Sequence, residues 1–232
     1  MMKTGEYKEK GNYHKKLDKN WKYLPIYLEK IKVINNILNK SKNLKILDAG
    51  CGEGVLVNEY KKKGFDITGL DLNYASKNVK TGDIKKMPFK NQEFDLVLCL
   101  DVLEHINVSE HEKVMGELIR VTKKEGLIIF GIPNLAHLAS RITFLLTGKL
   151  IRTSEIERHP GDRPIKEFLG LIKNKNLKII KRTGLFPTFP IISILTLISP
   201  SKSLFFHKIY NKLFAYPNWC FENIIITKKS LR

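Results

Sequence analysis

Short apolar runs alternate along the chain with longer segments whose apolar residues recur at helical spacing. Four runs, at residues 44–47, 65–70, 94–100 and 127–132, predict strands. Because these runs lack polar alternation, they are typical of strands buried on both faces, as in a parallel sheet covered by helices. Residues 221–227 predict one more strand near the end of the chain.

Helices are predicted between the strands. A helix from Val55 to Lys63 ends in three lysines before Gly64, which suits both the helix dipole and a left-handed cap. Apolar residues at helical spacing follow Pro25 and again Pro164, and proline is favoured in the first turn of a helix. This alternation of strand and helix predicts an α/β fold with a parallel, doubly wound sheet.

A glycine-rich turn follows the first predicted strand. Gly50, Gly52 and Gly54 allow a close backbone approach to a ligand, and a helix begins directly after them. The spacing differs from the dinucleotide fingerprint, whose third glycine would fall at Val55. Asp48, two residues before the first glycine, would repel a pyrophosphate but suits a ligand with an ammonium group and no phosphate. S-adenosylmethionine (SAM) has both properties.

The run from Asp48 to Gly54 closely resembles the first motif of the class I SAM-dependent methyltransferases, and the resemblance extends over residues 44–132. It implies a Rossmann-like, doubly wound, mostly parallel seven-stranded sheet with an inserted helical segment, and SAM as the cofactor. By the same resemblance, Asp48 would organise the loop near the amino acid moiety. The cofactor-binding residues that it implies are Asp48, Gly50, Cys51, Gly52, Gly54, Asp71, Leu72, Asp83, Ile84 and Leu100.

Two further acids follow predicted strands at the spacing of this family. Asp71 ends the second strand 21 residues after Gly50, where its carboxylate can accept both ribose hydroxyls. Asp83 would accept from the adenine amino group, and Leu72 and Ile84 would line the adenine pocket. Asp71 or Asp83 alone is more often a helix cap or a turn residue, so the prediction depends on their occurring together.

The fourth strand leads from Leu100 to His105 at the carboxyl edge of the sheet, where ligands bind in open α/β folds. His105 is the predicted catalytic residue, because a histidine suits general-base work near neutral pH. A structural role in the following helix is an equal alternative. Asp101, Glu104 and His105 also match positions associated with a divalent metal in ubiquinone-type O-methyltransferases, although Asp replaces Glu at the first. This match leaves a metal role as a hypothesis, and no metal site is predicted.

The segment after the fourth strand also bears on the acceptor. Adenine-N6 and cytosine-N4 methyltransferases carry an acid or amide and then Pro-Pro-aromatic there, whereas residues 100–105 differ from this pattern. The difference favours a small-molecule or lipid-linked acceptor. Residues 134–162 are loosely similar to methyltransferases of sugars or glycan precursors as far as Thr153. The predicted reaction is methyl transfer from SAM to an oxygen, with a nitrogen or a carbon as less favoured atoms. An RNA methyltransferase and a non-catalytic SAM-binding module remain as alternatives.

The chain is long enough for one domain with a full core, at 232 residues. We predict an N-terminal arm and helix (1–43), a SAM-binding core (44–133), a variable insert (134–163) and a C-terminal part of the domain (164–232). In the arm, Tyr13, Trp21 and Tyr23 are interpreted as a lid over the cofactor or, equally, as surface packing.

Charge and cysteine usage add expectations about partners and location. The net charge of +18 favours anionic partners, but the lysines are scattered as on ordinary solvated faces, so nucleic acid is the less favoured partner. Cys51, Cys99 and Cys220 have neither zinc nor disulfide spacing, and residues 1–22 lack the apolar centre of a signal peptide, so a cytoplasmic location is expected.

The most apolar part of the chain, residues 185–199, contains two prolines and is too short to span a bilayer. Together with the residues that follow, as far as 216, it predicts the core of a C-terminal subdomain. The alternative is peripheral contact with a membrane or a lipid-borne substrate. The sequence predicts no oligomeric state.

Overall fold

A computed structural model of the protein describes residues 18–152 and 154–229. In this part of the chain, the strands form one seven-stranded sheet in the order β3-β2-β1-β4-β5-β7-β6. They are β1 (Lys45–Ala49), β2 (Asp66–Asp71), β3 (Val79–Thr81), β4 (Phe94–Leu100), β5 (Thr122–Pro133), β6 (Leu177–Pro187) and β7 (Cys220–Lys229). Strands β1 to β5 are parallel, and β7 is antiparallel to both β5 and β6. The predicted fold class is confirmed.

Helices connect most of the strands. They are α1 (Leu24–Leu38), α2 (Val55–Lys62), α3 (His111–Val121), α4 (Leu138–Thr147), α5 (Ile165–Asn174), α6 (Pro190–Ile198) and α7 (Pro200–Leu213). Two short 3-10 helices, Leu103–His105 and Val108–Glu110, lead from β4 to α3. The predicted insert contains α4, and its remainder up to Gly161 has neither helix nor strand in the described residues.

Both faces of the sheet are buried, as the apolar runs predicted. On β1, Leu47 belongs to a core with α3 and α5, while its neighbour Ile46 belongs to a second core with α1 and α2. Successive strand residues point to opposite faces, so an unbroken apolar run supplies both cores at once.

The structure differs from the sequence predictions mainly in the C-terminal part of the chain. Strand β6 was not predicted, because Lys178, Lys181 and Arg182 interrupt the apolar residues of its first half, which lies at the sheet edge and is mostly exposed. The apolar segment from residue 185 is divided between the end of β6 and helix α6. Residues 1–17 of the predicted arm, including Tyr13, lie outside the described residues. Within those residues, no helix combines the length and the apolar character needed to cross a bilayer.

Candidate active site

The predicted site residues meet at one edge of the sheet. Strands β1 to β4 are parallel, so their carboxyl ends lie side by side. The glycine turn follows β1, Asp71 is the last residue of β2, Asp83 follows β3 by two residues, and Leu100 ends β4. Strand β1 lies between β2 and β4, so chain order reverses beside it, and open α/β sheets bind ligands at such a point.

The glycine turn is fixed to the neighbouring strand by its backbone. The amides of Gly50 and Cys51 both donate to the Leu70 carbonyl of β2, at 2.7 and 3.1 Å. Gly50 has a φ of 84°, and a Cβ there would lie 2.4 Å from a methyl group of Val102. Only glycine fits this position without displacing the turn that follows β4.

Gly52 faces open space, in contrast to Gly50. Its φ is 56°, and a Cβ there would meet no atom within 4 Å. Its amide donates to Oδ2 of Asp71 at 2.8 Å, while Oδ1 of Asp71 accepts from the Asn73 amide at 2.9 Å. These bonds fix the carboxylate beside the open face, and each oxygen keeps a second lone pair for a ligand hydroxyl. The residues therefore fit a nucleoside bound against the turn.

Asp48 is a buried acid at the base of this turn, only 5% exposed. Burial, and to a smaller extent the negative charge of Asp71, raise the pKa of its carboxyl from 3.8 to about 7. A cationic ligand would offset both effects, because it stabilises the ionised carboxylate. Such a ligand is what the sequence predicted from this acid.

The other predicted cofactor residues lie along the same edge. Cys51 is partly buried, and burial and the charges of Asp48 and Asp71 raise the pKa of its thiol, so it contributes packing rather than a thiolate. Leu72 is half exposed, whereas Ile84 is buried. The contacts of Leu72 and Ile84 with adenine stay a prediction.

Asp83 has a turn role in addition to its predicted ligand role. Its Oδ1 accepts from the Lys85 amide at 2.8 Å, which closes the turn after β3. The alternative reading of this acid as a turn residue therefore holds, and its contact with adenine is untested.

His105 lies at the end of the first 3-10 helix after β4, and its side chain is exposed. Its Nδ1 is 3.2 Å from the Arg158 carbonyl oxygen, and its ring packs edge-on against His159 at 4.6 Å. A carbonyl oxygen only accepts, so Nδ1 donates and Nε2 is the basic nitrogen of the neutral ring. The insert thus orients the predicted catalytic residue, whose role remains a prediction.

A neighbouring histidine supports the turn that carries His105. His111 is buried, and its Nε2 donates to the carbonyls of Leu103 and Ile106 at 2.8 and 2.9 Å. Gly161 of the insert donates its amide to the Glu104 carbonyl at 2.9 Å, and a Cβ on it would overlap the same turn. The segment after β4 is therefore held from both sides.

Sequence reasoning missed a buried cluster of acids beside this turn. Lys30 of α1 forms an ion pair with Asp101, and the carboxyl group of Glu222 on β7 hydrogen-bonds to Asp101. Burial is the largest effect on Asp101 and favours its neutral form, but the charge and hydrogen bond of Lys30, with smaller contributions from Glu222 and His105, together outweigh it and lower the pKa of Asp101. Burial raises the pKa values of Glu104 and Glu222, and the charge of Asp101 raises them further. Lys30 thus stabilises the ionised form of Asp101, while burial favours the protonated forms of Glu104 and Glu222.

The signals for this cluster were present but weak. Lys30 occupies the every-fourth spacing of Ile26, Ile34 and Leu38, which is the buried stripe of α1. Glu222 is the single acid of strand β7 and lies just before its apolar run, Ile224 to Ile226. An ionisable residue in a buried stripe needs a partner, and the partner is supplied only by the tertiary fold.

The described residues do not form a metal site. Among residues 18–152 and 154–229, no three His, Cys, Asp or Glu side chains are arranged to hold a metal ion. Lys30 occupies Oδ2 of Asp101, and the ring of His105 contacts the insert instead. Asp101, Glu104 and His105 therefore do not fit the ligand set that the sequence resemblance raised as a hypothesis.

The aromatic residues near the amino end pack on the last strand. Tyr23 stacks on Phe221 with ring centroids 6.0 Å apart, and Trp21 contacts both Tyr23 and Tyr27. Trp21 and Tyr23 thus pack on the surface, as one of the two interpretations expected. A lid role for them stays a prediction.

Comparison with known families agrees with this geometry. A family described as a methyltransferase domain matches residues 47–130, which include the glycine turn, Asp71, Asp83 and β4. The chain is a class I SAM-dependent methyltransferase. SAM is accordingly the cofactor of this methyltransferase.

A sequence relative supports the assignment. The methyltransferase is 28% identical over 171 residues to the ubiquinone biosynthesis O-methyltransferase of Rickettsia bellii, a match that covers 67% of this chain and 70% of the relative.

Solved structures agree in fold. A SAM-dependent methyltransferase of Methanosarcina mazei matches with a TM-score of 0.56 at 16% identity, over 84% of this chain and 98% of the other. A 1,6-didemethyltoxoflavin-N1-methyltransferase of Burkholderia thailandensis, solved with S-adenosylhomocysteine, matches with a TM-score of 0.55 at 10% identity, over 86% of this chain and 76% of the other. At such identities the two structures show the shared fold.

Proposed function

We propose that the methyltransferase transfers a methyl group from SAM to a hydroxyl oxygen of a small or lipid-linked acceptor. The observation that carries the proposal is the position of His105, which follows the carboxyl end of β4 at the cofactor edge of the sheet. Its Nδ1 contacts the Arg158 carbonyl, so Nε2 is its basic nitrogen. A hydroxyl group arrives protonated, so its methylation calls for a nearby base. The similarity to a relative named as an O-methyltransferase also supports oxygen as the methylated atom.

The roles of the residues follow from their places in the site. When bound, SAM supplies an electrophilic methyl group on a sulfonium sulfur. Asp48 would bind the ammonium group of the cofactor, and Asp71 would accept the ribose hydroxyls. His105 would take the hydroxyl proton as the oxygen-methyl bond forms and the sulfur-methyl bond breaks, and would then release that proton to water. S-adenosylhomocysteine and the methyl ether are the products.

The acceptor is tested with methyl-labelled SAM and fractionated cell extract. Label in the lipid or small-molecule fraction, in a product with a methyl ether, would support the proposal. Label in RNA, with binding that weakens steeply as salt rises, would favour the RNA methyltransferase instead. SAM binding without labelling of any fraction would favour a non-catalytic module.

The role of His105 is tested by the His105→Gln variant with the acceptor fraction so identified. We expect kcat to fall about 100-fold or more, because a general base typically contributes that much. The affinity for S-adenosylhomocysteine should be unchanged, and the acid limb of the pH profile of kcat should disappear. A variant with unchanged kcat and pH profile would contradict the assignment and leave His105 a structural residue.

A further inference from the structure

Helices α6 and α7 pack against each other and expose large apolar side chains to solvent. We call this surface the apolar face and define it by four residues that are each between 65% and 83% exposed: Ile191, Leu197, Ile198 and Phe205. Single exposed apolar side chains are ordinary on proteins, but a contiguous group usually marks a surface that contacts something.

Helix α6 is oriented opposite to an ordinary surface helix. It carries no charged residue, and it turns four large aliphatic side chains outward. The side chains that it buries include Thr196, whose hydroxyl is bonded to the Ile192 carbonyl and to Nε2 of His207, both at 2.7 Å. A helix facing water normally places its polar side outward, so the exposed side of α6 suits an apolar environment.

The apolar face lies at the same edge of the sheet as the cofactor site. Strand β6 runs parallel to β1–β5, because both it and β5 are antiparallel to β7, so α6 begins at the carboxyl edge. Helix α4 follows the carboxyl end of β5 and also exposes Leu145 and Leu146. Its amino end lies beside that of α6, because the hydroxyl of Thr188, two residues before α6, contacts Nδ1 of His137 at 3.0 Å and accepts from the Ala139 amide at 3.0 Å.

The charged residues of helices α6 and α7 are all positive. Residues 190–213 contain no Asp or Glu, but they contain Lys202, Lys208 and Lys212. Lys202, Lys208 and Lys212 lie on α7 and are exposed. A second copy of the chain would bring the same positive charges to the contact. An occupant that is both apolar and negatively charged is complementary, and a bilayer with anionic headgroups is such an occupant.

We propose that the apolar face docks on an anionic lipid bilayer, with α6 and α7 lying in the plane of the interface. Helix α6 has nine residues and is about 14 Å long, whereas a bilayer core is about 30 Å thick. The helix therefore lies on the membrane and does not span it. Docking would bring the cofactor edge of the sheet to the lipid surface, where an apolar acceptor would be dissolved. The binding itself goes beyond the proposed reaction, because it needs no acceptor.

The test is flotation of the full chain with vesicles of phosphatidylcholine alone and of phosphatidylcholine with phosphatidylglycerol. We expect binding to the anionic vesicles, weaker binding in high salt, and little binding to the neutral ones. The Leu197→Gln/Ile198→Gln variant should partition at least about tenfold more weakly, because each side chain would lose its burial in lipid. The matched control is Ile179→Thr/Ile180→Thr, which changes two exposed aliphatic residues at the start of β6, at the opposite edge.

Each outcome decides the proposal. Loss of binding in the α6 variant alone, with unchanged thermal unfolding, supports it. Absence of wild-type binding to anionic vesicles, or equal loss in the β6 control, overturns it. A dimer in light scattering that the α6 variant dissociates, without vesicle binding, would show that a second copy covers the face and also overturns it. Vesicle binding is measured without acceptor, so a wrong acceptor class would leave this result unchanged.

Discussion

Replacing Asp48 by Asn separates the effect of this carboxyl on the fold from its effect on cofactor binding. Burial, followed by the charge of Asp71, raises the pKa of Asp48 from 3.8 to about 7 in the folded protein. The folded state therefore binds this proton more tightly than the unfolded state does. The resulting stabilisation is full below pH 3.8 and is lost as the pH rises through about 7.

The size of the effect follows from the pKa difference. At 1.36 kcal/mol for each pH unit, ionised Asp48 lowers the free energy of unfolding at pH 8 by about 4 kcal/mol. An Asn amide is uncharged, but leaving it without partners in this buried place costs about 1–3 kcal/mol. We therefore expect Asp48→Asn to raise the free energy of unfolding of the unliganded protein by about 2 kcal/mol at pH 8. That corresponds to an increase of about 4–8 °C in Tm for a chain of this size.

The assay is thermal unfolding at pH 5 and pH 8, with and without S-adenosylhomocysteine. At pH 5 the gain should vanish, because the carboxyl is protonated in the folded state and the remaining penalty of about 1.6 kcal/mol is offset by the cost of burying the amide. The variant should bind S-adenosylhomocysteine about 10–100-fold more weakly, since a hydrogen bond to a charged group contributes about 1.5–3 kcal/mol. A variant that melts at a lower temperature than wild type at pH 8, or that keeps full affinity, would refute the reasoning.

Asp95→Asn is the matched control. The Asp95 carboxylate accepts from the Lys45 amide at 2.9 Å and from Nζ of Lys123 at 2.8 Å, near the start of β4 and therefore at the opposite edge. Burial is the largest effect and opposes its ionisation, but the hydrogen bonds and charges of Lys123 and Lys45 together outweigh burial, and the pKa of Asp95 is lowered. Its stabilisation is therefore present above the unfolded pKa and is lost as the pH falls. The control should melt at a lower temperature than wild type at pH 8 and keep its cofactor affinity.

Two further predictions test the turn and the acid cluster. Gly52 and Gly64 both have positive φ, and a Cβ on either would meet no atom within 4 Å. Either alanine variant should therefore lose about 1–2 kcal/mol of stability. Calorimetry should show weaker S-adenosylhomocysteine binding for Gly52→Ala alone, and equal affinities of the two variants would contradict the placement of the cofactor. In urea unfolding at pH 7, Lys30→Met should lower the free energy of unfolding by about 1–3 kcal/mol, because it leaves the partly buried carboxylate of Asp101 without its cation. Glu222→Gln should cost less, because burial and the charge of Asp101 already favour the uncharged form of Glu222. Equal losses in the two variants would be inconsistent with this charge assignment.

The sequence predicted the parts of the fold and site whose determinants are local. The strand before Gly50, the glycine turn and the helix after it follow one another directly in the sequence. Strand β2, which ends at Asp71, comes next. Burial on both faces leaves an apolar run that is recognisable without any knowledge of its partners. The cofactor edge could therefore be assembled from short segments in chain order.

The remaining features depend on contacts between distant segments. Lys30 and Asp101 are 71 residues apart, and their pairing is decided by how α1 packs against the sheet. The orientation of α6, with its aliphatic side chains outward, could not be predicted either. The run 190–198 is apolar on nearly all sides, so its sequence indicates burial and does not show which side faces solvent. The structure buries Ile192 but exposes Ile191 and Leu197, so neither the core nor the surface interpretation describes the whole segment.

The most direct test of the central claim is calorimetric titration of wild-type protein with S-adenosylhomocysteine at pH 6, in buffers of different ionisation enthalpy. Asp48 is mostly protonated at this pH in the free protein, because its pKa is about 7. If its carboxylate binds the ammonium group, one ligand should bind per chain with the release of approximately one proton. Absence of binding heat, or binding without proton release, would contradict the claim that the acid beneath the glycine turn holds the cofactor.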